Sequence, residues 1–355
     1  MKKIILLILW MVALVGAKAD ETKGKKVYEC RYLEHAPFGV SAWAASEIVK
    51  NEKGKENRFV DYNSDAAKAL ILDANATRQF EKDKTSSSRE TSFYMAYDQK
   101  GWYLYIDAQE PLIQKILDET VDQGSAAANE GYEIFFVPGL HNAAYYQTMT
   151  HPFAKKTEVY DWGTACRTFR SLKPYIHVES LPLEKGFGTF VFVPWQAFYD
   201  RLPLKGDYWR FTIIRWMPFG KAGGVTWGGA VHDTGNFGLI HFVPPTPEQK
   251  IGMEKEMLRA AWFKFLAASK WATAFWSDEK LGDSEFYWQE LKPLVDQYLK
   301  QGSEMGNADE WTVEAIKRGQ SLLGDWMEFD YKVQELRREY LLGKYVSGGA
   351  GNNTQ

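Results

Sequence analysis

"TSFYMAYDQKGWYLYIDA", residues 91–108, contains two runs in which side chains alternate with period two, separated by a short polar turn that ends at Gly101. Period-two alternation is the signature of a β-strand, and two such runs around a Gly-bearing turn predict an antiparallel hairpin. Trp102 alternates with Leu104 and Ile106, which assigns it to a core face. Downstream, "YEIFFVP" and "AYYQTMT" read as the next strand pair. "YIHVESL" with "GTFVFVPW", then "YWRFTIIRW" and "FGLIHFV", extend the series to residue 243. Many short strands punctuated by turns predict a mainly β fold: an antiparallel, immunoglobulin-like β-sandwich.

Outside this region the pattern changes. Residues 36–80 read as short helices or an edge strand with loops, and 81–90 as a polar loop. "VPPTPEQ", residues 243–249, is a break. Beyond it Met257, Leu258, Ala261, Trp262, Phe265 and Leu266 recur on one face of a helix, and 309–345 repeats that habit. The expected organisation is a leader at 1–19, a β-sandwich domain at 20–245, a helical appendage of about three helices at 250–346, and a disordered tail at 347–355.

The leader reading rests on Lys2 and Lys3, an apolar run from Ile4 to Gly16, and small residues at Ala17–Ala19. That pattern predicts a secretory signal peptide, hence export to the periplasm or the extracellular space. The apolar run is short for a membrane span, and no later stretch is longer. The formal charge is −3 with no basic block, which argues against a nucleic-acid partner. Cys30 and Cys166 could pair after export, or remain two thiols.

Glu133 is the anomaly. It shares a strand face with Phe135 and Val137. A carboxylate there needs a hydrogen-bonding partner. Arg215, on the strand that contains Trp209, Phe211 and Ile213, could supply one inside the protein. Alternatively both could face a concave surface and bind a polar ligand.

These segments resemble, in order, family 9 carbohydrate-binding modules, which have a DOMON-like β-sandwich. "TSFYMAYDQKGWYLYIDA" is similar to their first hairpin, and "GYEIFFVPG" with "YYQ" to the next pair. "YIHVESLPLEKGFGTFVFVPWQAF", "GDYWRFTIIRW" and "TWGGAVHDTGNFGLIHF" are similar to the segments that follow. The resemblance covers 91–243. It implies a noncatalytic module that binds poly- or oligosaccharide, often attached to polysaccharide-degrading enzymes. Its members sandwich a terminal sugar between two aromatics, at positions occupied here by Ala127 and Val231. Stacking would then fall to Trp162, Trp216 or Trp227, with hydrogen bonds from Glu133, Tyr146, Arg215 and His232.

Each candidate has a plain structural alternative. Trp227 precedes two glycines in a loop-like stretch, and Trp216 ends a strand before Pro218; either could be a stacking platform or core. Tyr146 shares a face with Thr148 and could offer its hydroxyl to a ligand. His232 and Asp233 could contact sugar or hold a loop. No cofactor is expected, although sandwich loops can hold calcium, with Asp98, Asp107 and Glu110 as the nearest carboxylates. A haem-binding role through Met95 with His177 or His232 is a remote alternative. No nucleophile-elbow, zinc-helix or phosphate-loop motif occurs. A glycoside hydrolase would need paired carboxylates, for which Glu133 and Glu179 are candidates. The helices, with six of the 14 Trp, suggest either self-packing or a protein partner.

Overall fold

The structure is a computed structural model that describes residues 22–52, 60–61, 89–119, 130–140, 145–153, 157–162, 168–169, 176–198, 202–217, 223–229, 232–306 and 312–350. These divide into two compact units, the first within Met1–Ala197 and Pro203–Pro245, the second within Phe198–Leu202 and Thr246–Gln355.

The first unit contains β1 (Val27–Tyr32), β2 (Val60–Asp61), β3 (Thr91–Tyr97), β4 (Gly101–Gln109), β5 (Gly131–Val137) and β6 (Tyr145–Thr150). It continues with β7 (Thr157–Trp162), β8 (Thr168–Phe169), β9 (His177–Leu183), β10 (Gly186–Pro194), β11 (Tyr208–Met217), β12 (Gly223–Trp227) and β13 (Gly238–Phe242). Short helices α1 (Val40–Ala44), α2 (Glu47–Glu52) and α3 (Ile113–Glu119) lie between strands.

The expected hairpin is present as β3–β4, with Tyr97 opposite Trp102 and Thr91 opposite Ala108. Its turn is fixed by Asp98. One carboxylate oxygen accepts from the backbone N–H of Lys100 and Gly101 at 2.6 and 3.1 Å, and the other from the Tyr103 hydroxyl at 2.8 Å. An Asp side chain that bonds its own following backbone is a standard way to set such a turn.

Among the described residues the strands form one path, β8-β7-β6-β5-β11-β13-β1-β3-β4-β10-β9, with β12 and β2 attached beside β11. The fold is therefore mostly β, but the strands are joined where two separate antiparallel sheets were expected. β1 makes the join. Its first residues pair in parallel with β13 and its last two in parallel with β3. The two halves of this barrel-like sheet face each other through aromatic side chains. Phe93 meets Trp227 at 5.0 Å between ring centroids, and Trp102 meets both Phe136 and Phe211 at 5.9 Å. Tilted and edge-on contacts of this kind are the favoured geometry for buried rings.

The second unit is helical: α4 (Pro247–Trp276), α5 (Lys292–Gly306, entered through a π-helical stretch at Tyr287–Leu291), α6 (Val313–Met327) and α7 (Phe329–Ala350). α4 starts in a capping box between Thr246 and Gln249, with Pro247 in its first turn. Its apolar face buries Trp262 against Trp326 at 5.2 Å, and Phe265 against Phe329 at 5.0 Å. Trp271 and Trp288 are each 61% exposed, so the helical tryptophans are not all packing groups. No described helix is long and apolar enough to cross a membrane. Cys30 is buried on β1, and Cys166 lies outside the described residues.

Candidate functional site

Register decides which candidates meet. Ile214 of β11 stands opposite Glu133 of β5, Thr212 opposite Phe135, and Arg210 opposite Val137. On the other side of β5, Met149 of β6 stands opposite Glu133 and Gln147 opposite Phe135. Directly opposed residues point to the same face. Glu133, Phe135, Val137, Gln147, Ile214 and Trp216 therefore share the face of this half-sheet that looks away from the other half. Phe135, Val137, Ile214 and Phe237 form an apolar cluster there, with Tyr145 and Trp216 packed against it.

Glu133 sits in this apolar setting. Gln147 donates its Nε2 to Glu133 Oε2 at 3.3 Å, and the Trp216 indole lies beside the carboxyl. Burial nevertheless pushes the Glu133 pKa from 4.5 up to about 7, because desolvation outweighs the neutral polar groups beside it. Among the described residues no charged group contributes to that shift. Gln147 is 3% exposed, and its Oε1 has no hydrogen-bond partner among the described residues.

A second polar pair lies further along the same face. The Tyr145 hydroxyl and His232 Nδ1 are 2.6 Å apart. His232 is exposed overall, but its ring packs edge-on to Phe135, 5.1 Å between centroids, and this local desolvation lowers its pKa below the usual imidazole value. His232 has φ +63°, the left-handed region that a non-glycine residue enters only when its contacts hold it there. The next residue, Asp233, accepts from the Gly235 N–H at 3.1 Å and so fixes the loop around it.

The other candidates lie elsewhere. Arg215 does not pair with Glu133; it points to the opposite, inner face and is fully buried. There its Nε donates to Glu130 at 2.7 Å, its Nη2 to Glu110 at 2.7 Å, and its Nη1 to Thr91 at 2.9 Å and to the Gln109 carbonyl at 3.1 Å. Arg89 adds a second cation 3.4 Å from Glu110. Tyr146 also faces inward, stacked on Phe136 at 5.3 Å and 19°. Its neighbour Tyr145 is the tyrosine on the Glu133 face. Trp227 is not on a loop. It ends β12 opposite Ile213, is 1% exposed, and packs on Phe93 and Phe211. Trp216 is half-buried beside Glu133 and remains at the site.

Several residues of the alternative chemistries are engaged within the protein or lie apart. Asp98 holds the β3–β4 turn and Glu110 holds Arg215, so these two carboxylates have partners within the protein. Met95 and His177 lie on strands separated by β4 and β10 and have opposite facing, so they do not converge on one haem. Glu179, on β9, accepts from the Val40 N–H at 2.8 Å and belongs to the other half-sheet, so it does not pair with Glu133. Ala127 and Val231 lie outside the described residues, as does the side chain of Trp162.

No protein-family model matches the chain, and no curated protein matches it. Two similar solved structures are family 9 carbohydrate-binding modules from Caldicellulosiruptor kristjanssonii. The one in complex with cellotriose is 11% identical, covers 63% of this chain and 96% of its own, and has a TM-score of 0.42. The one in complex with glucose is 11% identical, covers 62% of this chain and 98% of its own, and has a TM-score of 0.39.

Proposed function

We propose that this protein is an exported, noncatalytic carbohydrate-binding protein, and that the outer face of β5, β6 and β11 is its sugar site. The observation that carries this reading is the Glu133–Gln147–Trp216 group: a carboxyl and a carboxamide set among aromatic side chains. A sugar ring presents an apolar C–H face and a rim of hydroxyls. The half-buried rings of Trp216 and Tyr145 would receive the first, and the partly exposed Glu133 would hydrogen-bond the second. Tyr145 and His232 extend the polar rim. The DOMON-like, immunoglobulin-like description of the β unit belongs to the same reading and rests on the order of its sequence segments. Export rests on residues 1–19. A link to polysaccharide recognition or degradation follows from the resemblance.

The test is a glycan-array and calorimetric screen of the purified protein beside Glu133→Gln and Trp216→Ala. Binding that both variants weaken, with circular dichroism unchanged, supports the site. Absence of binding to every glycan moves the assignment to a second reading, a structural or interaction protein on the same scaffold. Ala127 and Val231, where the resembled family carries its stacking aromatics, favour that second reading. So do the exposed Trp271 and Trp288 of the helical unit, which suit a protein partner. Turnover of a chromogenic glycoside that disappears in Glu133→Gln would replace both readings with an enzyme.

A further inference from the structure

The other half of the barrel-like sheet carries a recess of its own. His177 stands opposite Phe192, and Glu179 opposite Phe190, so these four side chains share the outer face of β9 and β10. α1 lies over that face, with Val40 and Trp43 buried in an apolar cluster that includes Tyr94, Tyr105 and Phe190. Between α1 and β9 is an open cavity of about 350 Å³, lined by Phe38, Ser41, His177 and Glu179 among others. That is within the range of about 300–1,000 Å³ that takes small ligands.

The recess has an aromatic platform that is both held and open. The Phe38 ring stacks on His177, with 5.2 Å between centroids and 29° between planes, and meets Phe190 and Phe192 edge-on at 5.0 and 5.7 Å. Phe38 is still 55% exposed. Three neighbours thus fix a large apolar ring that solvent can reach. Beside it Glu179 is anchored by one oxygen, because its Oε2 accepts from the Val40 N–H at 2.8 Å. Gly39 permits that approach: it has φ +87°, and a Cβ there would stand 2.7 Å from Glu179 Oε2. Glu179 is only partly buried, and its Oε1 has no partner among the described residues. The exposed His177 and Ser41 add ring nitrogens and a hydroxyl at the same cavity.

These groups set the chemistry of a ligand. A carboxylate only accepts, a serine hydroxyl donates and accepts, and an imidazole can do either. A matching ligand has an apolar face for Phe38 and a rim of groups that donate and accept. A neutral sugar ring has both, in its C–H face and its hydroxyls. An acidic sugar would bring a second carboxylate against Glu179. We propose that this recess is a further carbohydrate-binding site, selective for neutral over acidic sugars. Phe38, backed by His177, receives the C–H face, and Glu179 and Ser41 hydrogen-bond the hydroxyls. The inference rests on the carbohydrate-binding reading and adds a contact on the half-sheet that does not hold Glu133. Two sites on one unit would let the protein hold two segments of a polysaccharide, with an avidity above the affinity of either site.

The experiment is calorimetric titration of the full chain with five trisaccharides: cellotriose, xylotriose, maltotriose, mannotriose and trigalacturonate. At least one neutral trisaccharide should bind with two equivalents per chain. Phe38→Ala and Glu179→Gln should each weaken one equivalent at least tenfold, and Trp216→Ala the other. Glu179→Gln keeps an oxygen for the Val40 N–H, so its effect is on binding and not on the fold. One equivalent, lost in Trp216→Ala and unchanged in Phe38→Ala and Glu179→Gln, would overturn the further site and leave the carbohydrate reading standing. One equivalent, lost in Phe38→Ala and unchanged in Trp216→Ala, would support this recess and remove the sugar site from the Glu133 face. Trigalacturonate bound through Phe38 as tightly as the neutral sugars would overturn the selectivity. No binding to any of the five would overturn both the recess and the carbohydrate reading.

Discussion

Arg215 and Trp216 are adjacent in sequence and belong to opposite faces of β11: Arg215 is locked to Glu110 and Glu130 inside the barrel-like sheet, while Trp216 lies beside Glu133 on its outer face. The alternation of a strand thus separates a structural charge cluster from the candidate ligand site by a single residue. Substitutions at the two positions should part company accordingly.

Arg215→Leu should leave Glu110 and Glu130 buried without their principal cation. Breaking one side of a buried ion cluster costs about 3–5 kcal/mol, so the variant should melt far below the parent or fail to fold. Arg215→Lys should rescue little, because a single ammonium cannot replace donors at Nε, Nη1 and Nη2 that reach three different strand ends. A thermal melt of Arg215→Lys close to that of the parent would show that the guanidinium geometry is dispensable.

The two tryptophans of the β11–β12 hairpin should differ in the same way. Trp227 is packed between Phe93 and Phe211, with its side chain also filling the space over Gly238. Trp227→Ala should cost about 3–5 kcal/mol in denaturant titrations. Trp216→Ala removes a half-buried ring at the edge of the apolar cluster. It should cost well under half as much and show its main effect on glycan binding. Equal stability losses would place both rings in the core.

This contrast marks what could be read from the sequence and what could not. The β3–β4 hairpin was legible because alternation and turn both lie within 18 contiguous residues. The face shared by Phe93, Met95 and Tyr97 follows from parity alone. The partner of Glu133 was not legible. Which residue of β6 or β11 stands opposite it depends on register between strands far apart in the chain, and a one-residue difference turns Tyr146 into Tyr145 and Arg215 into Trp216. β12 escaped for a different reason: its glycines, Gly223 and Gly224, look like a loop but lie flat against Trp216 and Met217 of β11. β1 lies outside the alternating series and pairs in parallel with partners some 65 and 212 residues away, which no local pattern announces.

The helical unit offers a test in which packing opposes intrinsic propensity. Gly302 lies within α5, where alanine would ordinarily stabilise a helix by about 1 kcal/mol. A Cβ at that position would stand 2.1 Å from Cζ3 of Trp262. Trp262 is itself fixed against Trp326 and Phe265, so it has little room to yield. Gly302→Ala should therefore destabilise by about 1–3 kcal/mol, as overpacking does. Gly324→Ala makes a control, because nothing lies within 4 Å of its added Cβ. A melting temperature raised by Gly302→Ala would mean that the Trp262 ring can move aside.

The pH dependence of stability isolates Glu133. Burial raises its pKa from 4.5 to about 7 in the folded protein. A folded-state pKa above the unfolded value means that the native state keeps its proton longer as pH rises. The associated stability is full below about pH 4.5, declines between 4.5 and 7, and is gone above. Glu130 is also raised to about 7 by burial, against the pull of Arg215, so a pH–stability curve of the parent alone mixes at least two groups. Subtracting the curve of Glu133→Gln removes the shared contributions. The difference should change across pH 4.5–7 in the direction of falling parental stability, by on the order of 3 kcal/mol for a shift of this size. A flat difference curve in the ligand-free protein would mean that Glu133 is solvated in the folded state, and the buried acceptor on which the site depends would not exist.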